Sequence, residues 1–241
     1  MLTIGITTFE YRYEKYFVPL MQSLKMCGHE VLVAVNGEHK QPFNEPYRHK
    51  VLCLLADCPT VYPIFFPTFR GLSKLWNTLV IHASNEKVLL LNDDVMVEPQ
   101  ALANVDALDE TTIINNSFSH WLVTKQELDA VGYFDERLLG IGEEDGDFMH
   151  RYIRAFNREM PRAQIHGIHN FSSQNNDYRP TNIRSRPGMR YSQFNREMVY
   201  EQKYRRGGYV RGMFDTVMEE VSPCERQYPY ERFFADNESK L

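Results

Sequence analysis

Asp93 and Asp94 close the apolar run Val88-Leu89-Leu90-Leu91-Asn92, which places two carboxylates where a buried strand meets solvent. Carboxylates at such a point can hold a divalent cation and, through it, a diphosphate. Asn-Asp-Asp after a strand is equally an ordinary turn, so the second acidic cluster decides the reading. Gly142-Glu143-Glu144-Asp145-Gly146-Asp147 sets four carboxylates in five positions ahead of Phe148-Met149-His150-Arg151-Tyr152-Ile153, which has helical spacing. A helix macrodipole and capping explain one or two acidic residues in a first turn, not four that repel one another. His166 and His169 follow, so the chain offers a carboxylate pair, a carboxylate cluster and a histidine pair, all suited to hard-metal chemistry.

These residues need a framework. Residues 2–7 read as a buried strand, residues 14–26 as a helix with Tyr16, Phe17, Leu20, Met21 and Leu24 on one face and Gly28 as its stop, and residues 29–35 as a second strand ending at Asn36-Gly37. A β-α-β order implies a parallel pair, and ligands of such sheets gather at the strands' carboxyl ends. A third short strand is expected over residues 51–55, followed by an irregular aromatic loop punctuated by Pro59, Pro63 and Pro67. A helix over residues 72–83, with Leu72, Leu75, Trp76, Leu79, Val80 and Ala83 as its apolar stripe, leads into the strand carrying Asp93. Lys74 and Asn77 lie off that stripe, where a solvated face is expected. Strands follow at 112–115 and 120–124, then a helix over 126–131 stopped by Gly132. Trp121 and Tyr133 offer stacking faces, but large aromatics more often belong to the core. From about Tyr178 arginine, tyrosine and glycine dominate. The expectation is an α/β domain over residues 1–177 and a helical or irregular C-terminal arm over 178–241.

With 241 residues, 43% of them hydrophobic, the chain can bury the core of one catalytic-size domain. A net charge of -5 argues against a nucleic-acid partner. No run reaches the roughly 18 apolar residues of a membrane span, and Met1-Leu2-Thr3-Ile4-Gly5 lacks the charged start of an export signal. A cytoplasmic protein is expected, with peripheral membrane association left open. Cys27, Cys53, Cys58 and Cys224 form no Cys-x-x-Cys pair and read as reduced thiols. Arg184, Arg186, Arg190, Arg196, Arg205, Arg206 and Arg211 of the arm are expected to be solvated.

Over roughly residues 1–173 the chain resembles a glycosyltransferase of the GT-A fold, closest to the inverting family 2 group that builds bacterial or viral polysaccharides. Thr7-Thr8-Phe9-Glu10-Tyr11-Arg12 is similar to that family's Thr-x-x-x-Arg strand end, and Val35-Asn36-Gly37 to its Asp-Asn-Gly segment. Gly71-Leu72-Ser73-Lys74-Leu75-Trp76-Asn77 resembles its Gly-x-x-x-x-x-Asn helix, and Asn92-Asp93-Asp94 its Asp-x-Asp motif with Asn in the first place. Gly132-Tyr133-Phe134-Asp135-Glu136, leading to Gly140-Ile141-Gly142-Glu143-Glu144-Asp145-Gly146-Asp147, resembles the acceptor-side signature. His169-Asn170-Phe171-Ser172-Ser173 resembles the His-x-x-x-Ser segment, and Lys203-Tyr204-Arg205-Arg206-Gly207-Gly208 a Lys-Trp-Gly ending.

The resemblance implies a Rossmann-like mixed sheet flanked by helices, binding a nucleotide-sugar donor, most plausibly a UDP-sugar, and a glycan or glycolipid acceptor. Thr7, Thr8, Glu10, Asn36, Lys74, Asn92 and Asp93 would serve the donor, and Asp94 with His169 would hold Mn²⁺ or Mg²⁺, His166 being the competing ligand. Asp145 would be the catalytic base and Glu144 an acceptor contact. The cation would neutralise the departing diphosphate, and in-line attack assisted by one base on the face opposite the leaving group predicts inversion. The like charges around Asp145 would raise its pKa. A nucleotidyltransferase is disfavoured because Thr7-Thr8-Phe9-Glu10 carries neither glycine nor lysine. A silent glycan- or sugar-nucleotide-binding domain and a metal-dependent hydrolase are the other rivals.

Overall fold

The computed structural model describes residues 1–24, 27–38, 41–171 and 190–204. These fall into two compact units, the first drawn from residues 1–70, 78–125 and 161–177, the second from 71–77, 126–160 and 178–241.

The first unit is built on strands β1 Leu2–Thr8, β2 Glu30–Val35, β3 Val61–Phe65, β4 Lys87–Asn92, β5 Val95–Val97, β6 Thr112–Ile114, β7 His120–Thr124, β8 Arg162–Ala163 and β9 Ile168–Asn170. Seven of them form one sheet in the order β3-β2-β1-β4-β7-β6-β8, and β5 pairs with β9 in a separate ribbon. β1 runs parallel to both β2 and β4, whereas β7 runs antiparallel to β4, so the sheet is mixed. β1 is buried along its whole length, its threonines Thr3, Thr7 and Thr8 included. Gly5 leaves room there: a Cβ would come within 3.2 Å of the Leu79 and Leu90 side chains.

Helices α1 Val18–Leu24, α2 Glu45–Leu55, α3 Leu72–His82 and α4 Ala101–Asp106 follow along the chain. The helix expected over 14–26 is divided: a 3-10 turn at Glu10–Arg12 and a π turn at Tyr13–Phe17 precede α1, and residues 25 and 26 lie outside the described residues. The strand expected over 51–55 is instead the end of α2. Asn44 caps this helix by accepting from the Tyr47 amide, Pro46 sits in its first turn, and Tyr47, Val51 and Leu55 bury one face at fourfold spacing. A five-residue apolar run fits a strand or a helix face equally, and here the upstream cap decides. The third strand is β3, in the segment read as irregular; its Pro63 is tolerated because β3 is an edge strand of the sheet.

The second unit contains the first turns of α3, most of α5 Lys125–Val131, and α6 Glu144–Phe156, α7 Tyr191–Asn195, a π turn at Arg196–Tyr200 and α8 Glu201–Tyr204. Trp76, Phe134 and Phe148 make its aromatic centre, with successive ring centroids 5.0 and 5.1 Å apart. Among the described residues no helix is long and apolar enough to cross a membrane. Cys27, Cys53 and Cys58 are free thiols, while Cys224, Arg184, Arg186, Arg205, Arg206 and Arg211 lie outside the described residues. Trp121 is fully buried in β7.

Candidate functional site

The parallel pairing of β1 with β4 sets Thr7 opposite Asn92, so Thr8, Asp93 and Asp94 emerge together at the carboxyl ends of neighbouring strands. Both carboxylates are withdrawn from water, Asp93 at 2% and Asp94 at 1% exposure. Their cation is Arg12, from the 3-10 turn after β1: Nε donates to Asp93 Oδ1 at 2.6 Å, and Nη2 lies 3.2 Å from Asp94 Oδ1. Thr8 Oγ1 donates to Asp93 Oδ2 at 2.8 Å, so both Asp93 oxygens have protein donors. Burial pushes the Asp93 carboxyl up to about 6, against the pull of Arg12 and Thr8. Asn36 clamps the Arg70 backbone at both ends, donating to its carbonyl (2.8 Å) and accepting from its amide (2.9 Å). Gly37 beside it is sterically required, since a Cβ would sit 2.6 Å from the Phe66 carbonyl oxygen. Glu10 accepts from Asn44 at 2.5 Å, and both line a cleft of about 510 Å³ with Tyr11, Tyr13, Glu38 and Tyr47.

The β5–β9 ribbon brings the histidine segment to this edge. Val95 pairs with Asn170 and Met96 with His169, and the Phe171 amide donates to the Asp94 carbonyl at 2.7 Å. His169 is exposed, as is His166 in the approach to β9. His120, which no sequence spacing marks, opens β7 opposite Leu91 and is only 2% exposed. Burial pushes its pKa down to about 4, against the charge of Asp94, so the ring is neutral. Among the described residues neither of its ring nitrogens has a hydrogen-bond partner at good geometry.

In the second unit Asn77 is fully buried rather than solvated. Its amide donates to the Phe134 carbonyl and to Glu136 Oε1, both at 2.9 Å, and its oxygen accepts from the Phe134 amide at 2.9 Å. Lys74 Nζ is 3.5 Å from Glu136 Oε2. The turn into α6 carries left-handed backbone at Gly140, Gly142 and Glu143 (φ 58°, 117° and 73°). Gly140 lets the Tyr191 ring lie against the backbone, and Asn195 braces the turn by accepting from the Leu139 amide (2.7 Å) and donating to the Leu139 and Gly142 carbonyls (2.8 and 2.7 Å).

Within the acidic cluster the carboxylates separate. Asp147 accepts from Arg151 (2.9 Å), Lys203 (2.6 Å) and Tyr204 (2.8 Å), and Asp135 accepts from Lys203 (2.9 Å) and Arg137 (2.5 Å). Burial alone would raise both, but the cations around them hold both below the usual carboxylate range, Asp135 well below it. Glu144 has no such partner: burial, with the charge of Asp145 beside it, pushes its carboxyl up to about 8 while the Gly142 amide donates to it at 2.5 Å. Asp145 is half-buried and accepts from the Gly146 amide at 2.9 Å; among the described residues no cation pairs with it. Arg196 is mostly exposed yet pairs with Glu143 at 3.0 Å, and Lys203, at the Lys-Tyr ending, is buried.

No protein-family model matches the chain, and no curated protein sequence matches it. Solved structures do. S. aureus TarS matches with a TM-score of 0.53 and 16% identity over 68% of this chain and 35% of that one. TarS 1-349 matches at 0.52 with 17% identity over 67% and 57% of the two chains. Its complex with UDP matches at 0.51 with 16% identity over 68% and 60%. The chain has a GT-A-like glycosyltransferase fold. It spans about a third of the length of the first TarS chain.

A GT-A-like fold implies a divalent cation, and two side chains of this chain are of the kind that would hold one: Asp94, a buried carboxylate in the turn between β4 and β5, and His169, an imidazole on β9, which pairs with β5. Among the described residues no three His, Cys, Asp or Glu side chains are grouped to hold a metal by themselves. A cation held there would take its remaining ligands from outside the protein, from water or a bound oxygen ligand.

Proposed function

We propose that the chain is an inverting, metal-dependent glycosyltransferase that moves a sugar from a UDP-sugar to a hydroxyl of a glycan or glycolipid. The observation that carries this reading is the buried Asp93–Asp94 pair at the carboxyl end of β4, beside the end of β1, in a GT-A-like fold. TarS 1-349 in complexes with UDP and with UDP-GlcNAc supports the choice of uridine donor.

The cleft bounded by Glu10, Tyr11, Tyr13, Glu38, Asn44 and Tyr47 would seat the nucleoside, its rings offering stacking faces and its carboxylates accepting base N–H groups. Thr7, Glu10, Asn92 and Lys74 are the proposed direct donor contacts. Thr8, Asn36 and Asp93 have their polar atoms engaged within the protein and would act by shaping the site. Asp94 and His169 would hold Mn²⁺ or Mg²⁺, with the imidazole favouring manganese. The bound cation would neutralise charge on the leaving diphosphate.

Asp145 would take the acceptor's proton as its oxygen bonds the anomeric carbon and the bond from that carbon to the phosphate oxygen breaks, releasing nucleoside diphosphate and inverting the centre. Glu144, with its carboxyl raised to about 8, is protonated at neutral pH and would orient the acceptor hydroxyl by hydrogen bonding. The deciding experiment is calorimetric titration of UDP, GDP and CDP with and without Mn²⁺ into the wild type and Asp94→Ala. Metal- and Asp94-dependent binding of UDP supports the reading. No nucleotide binding under any condition overturns it, and donor binding without transfer to any glycan acceptor would reduce it to a binding domain.

A further inference from the structure

The cysteines of this chain differ in environment. Cys58 is packed among core residues, where a thiol serves as a small apolar group. Cys53 is exposed on α2, opposite the face that Tyr47, Val51 and Leu55 bury, so packing does not account for it. Four residues earlier on the same face stands His49, also exposed. Cys53 Sγ lies 3.6 Å from His49 Nδ1 and 3.7 Å from Nε2. Among the described residues neither side chain makes another hydrogen bond or ion pair. The flanking cations of the helix are answered elsewhere, Arg48 by Glu45 at 3.0 Å and Lys50 by Glu14 at 3.2 Å.

We propose that His49 and Cys53 form a two-residue site for a thiophilic divalent cation, zinc above all. Thiolate and imidazole are the ligands zinc takes most readily, and residues four apart on a helix present both to one ion. Tetrahedral zinc with Zn–S about 2.3 Å and Zn–N about 2.0–2.1 Å holds two such donor atoms about 3.5 Å apart. The observed separation of 3.6 Å therefore needs little rearrangement. On binding, the thiol proton passes to solvent, the thiolate forms the metal–sulfur bond, and water fills the remaining positions. Among the described residues no third His, Cys, Asp or Glu completes the set, so the ion stays exchangeable. The sulfur donor separates this site from Asp94 and His169 by metal preference, since magnesium and manganese favour oxygen ligands. A bound ion would tie together successive turns of the helix that gives Pro46, Tyr47 and Lys50 to the cleft. Neither residue takes part in the proposed donor or acceptor chemistry, so the site stands whatever the donor proves to be.

Co²⁺ is the probe, because a cobalt–thiolate bond gives a charge-transfer band in the near ultraviolet that oxygen and nitrogen ligands alone do not. It is titrated into reduced, oxygen-free wild type, Cys53→Ser and His49→Gln, each checked for folding by circular dichroism. Both positions are exposed, so neither substitution removes core packing. Wild type is expected to develop a saturable band that Zn²⁺ abolishes and excess Mg²⁺ leaves in place. Cys53→Ser should lose the band, and His49→Gln should bind Co²⁺ at least about tenfold more weakly, one decade corresponding to about 1.4 kcal/mol. No thiolate band in wild type overturns the proposal. So does an undiminished band in Cys53→Ser, which would place the sulfur ligand at another cysteine, and so does unchanged affinity in His49→Gln, which would leave the thiol without its imidazole partner.

Discussion

The two acidic sites differ in how their charge is answered. At the end of β4 one guanidinium serves two carboxylates; around α6 Lys203, Arg137 and Arg151 surround Asp135 and Asp147, while Glu144 and Asp145 have no cation among the described residues. Each site nevertheless follows one plan. A carboxylate with both oxygens taken by protein donors, Asp93 or Asp147, stands one or two residues from another, Asp94 or Asp145.

The largest expected break in this comparison is Asp145→Asn, which should lower transfer about 10²–10⁴-fold while leaving donor binding and thermal stability near wild type. Assays of turnover and calorimetric donor titration check it, and normal turnover would remove Asp145 from the mechanism. Lys203→Met attacks the anchored partner. It leaves Asp135 and Asp147 buried with less compensation and should cost about 3–5 kcal/mol in urea unfolding at pH 7. Because both folded pKa values lie below the ordinary 3.8, the stability these groups contribute is present above that value and lost as pH falls through the depressed range. Lys203→Met should shrink that acid-side loss.

Glu144 has the opposite sign. Its folded pKa is raised from 4.5 to about 8, so its contribution is complete below pH 4.5 and is lost as pH rises through 8. Glu144→Gln should flatten the stability profile across that window by an amount on the order of a few kcal/mol. Unfolding curves of wild type that show no decline between these values, or a decline that Glu144→Gln leaves in place, would contradict the assignment. The smallest effect is expected from Asn77→Ala, which strands the Phe134 backbone groups and should cost about 1–3 kcal/mol in urea unfolding.

Much of the framework was legible in the residues. The segments read as strands at β1, β2 and β4 are strands, and the acidic residues expected at a helix start do open α6. The segment 51–55 was not legible as α2, because a short apolar run has no preferred period and its cap lies upstream at Asn44. Lys74 and Asn77 were misplaced on a solvated face because Glu136 and Phe134, which draw them inward, lie about sixty positions away. Arg12 stood within a quoted motif, yet nothing local shows that it pairs with Asp93, 81 positions later. His120 carried no signal, since its burial beside Asp94 follows from the pairing of β7 with β4.

The sequence by itself determined which chemical groups are present, their order along the chain, and the strands and helices whose local pattern is unambiguous, because propensity, capping and periodicity act over a few residues. Only the tertiary structure decided which carboxylates meet which cations. The cations responsible arrive from 81 positions away at Asp93 and 56 at Asp147, and the burial that makes each pairing matter exists only once the chain is packed.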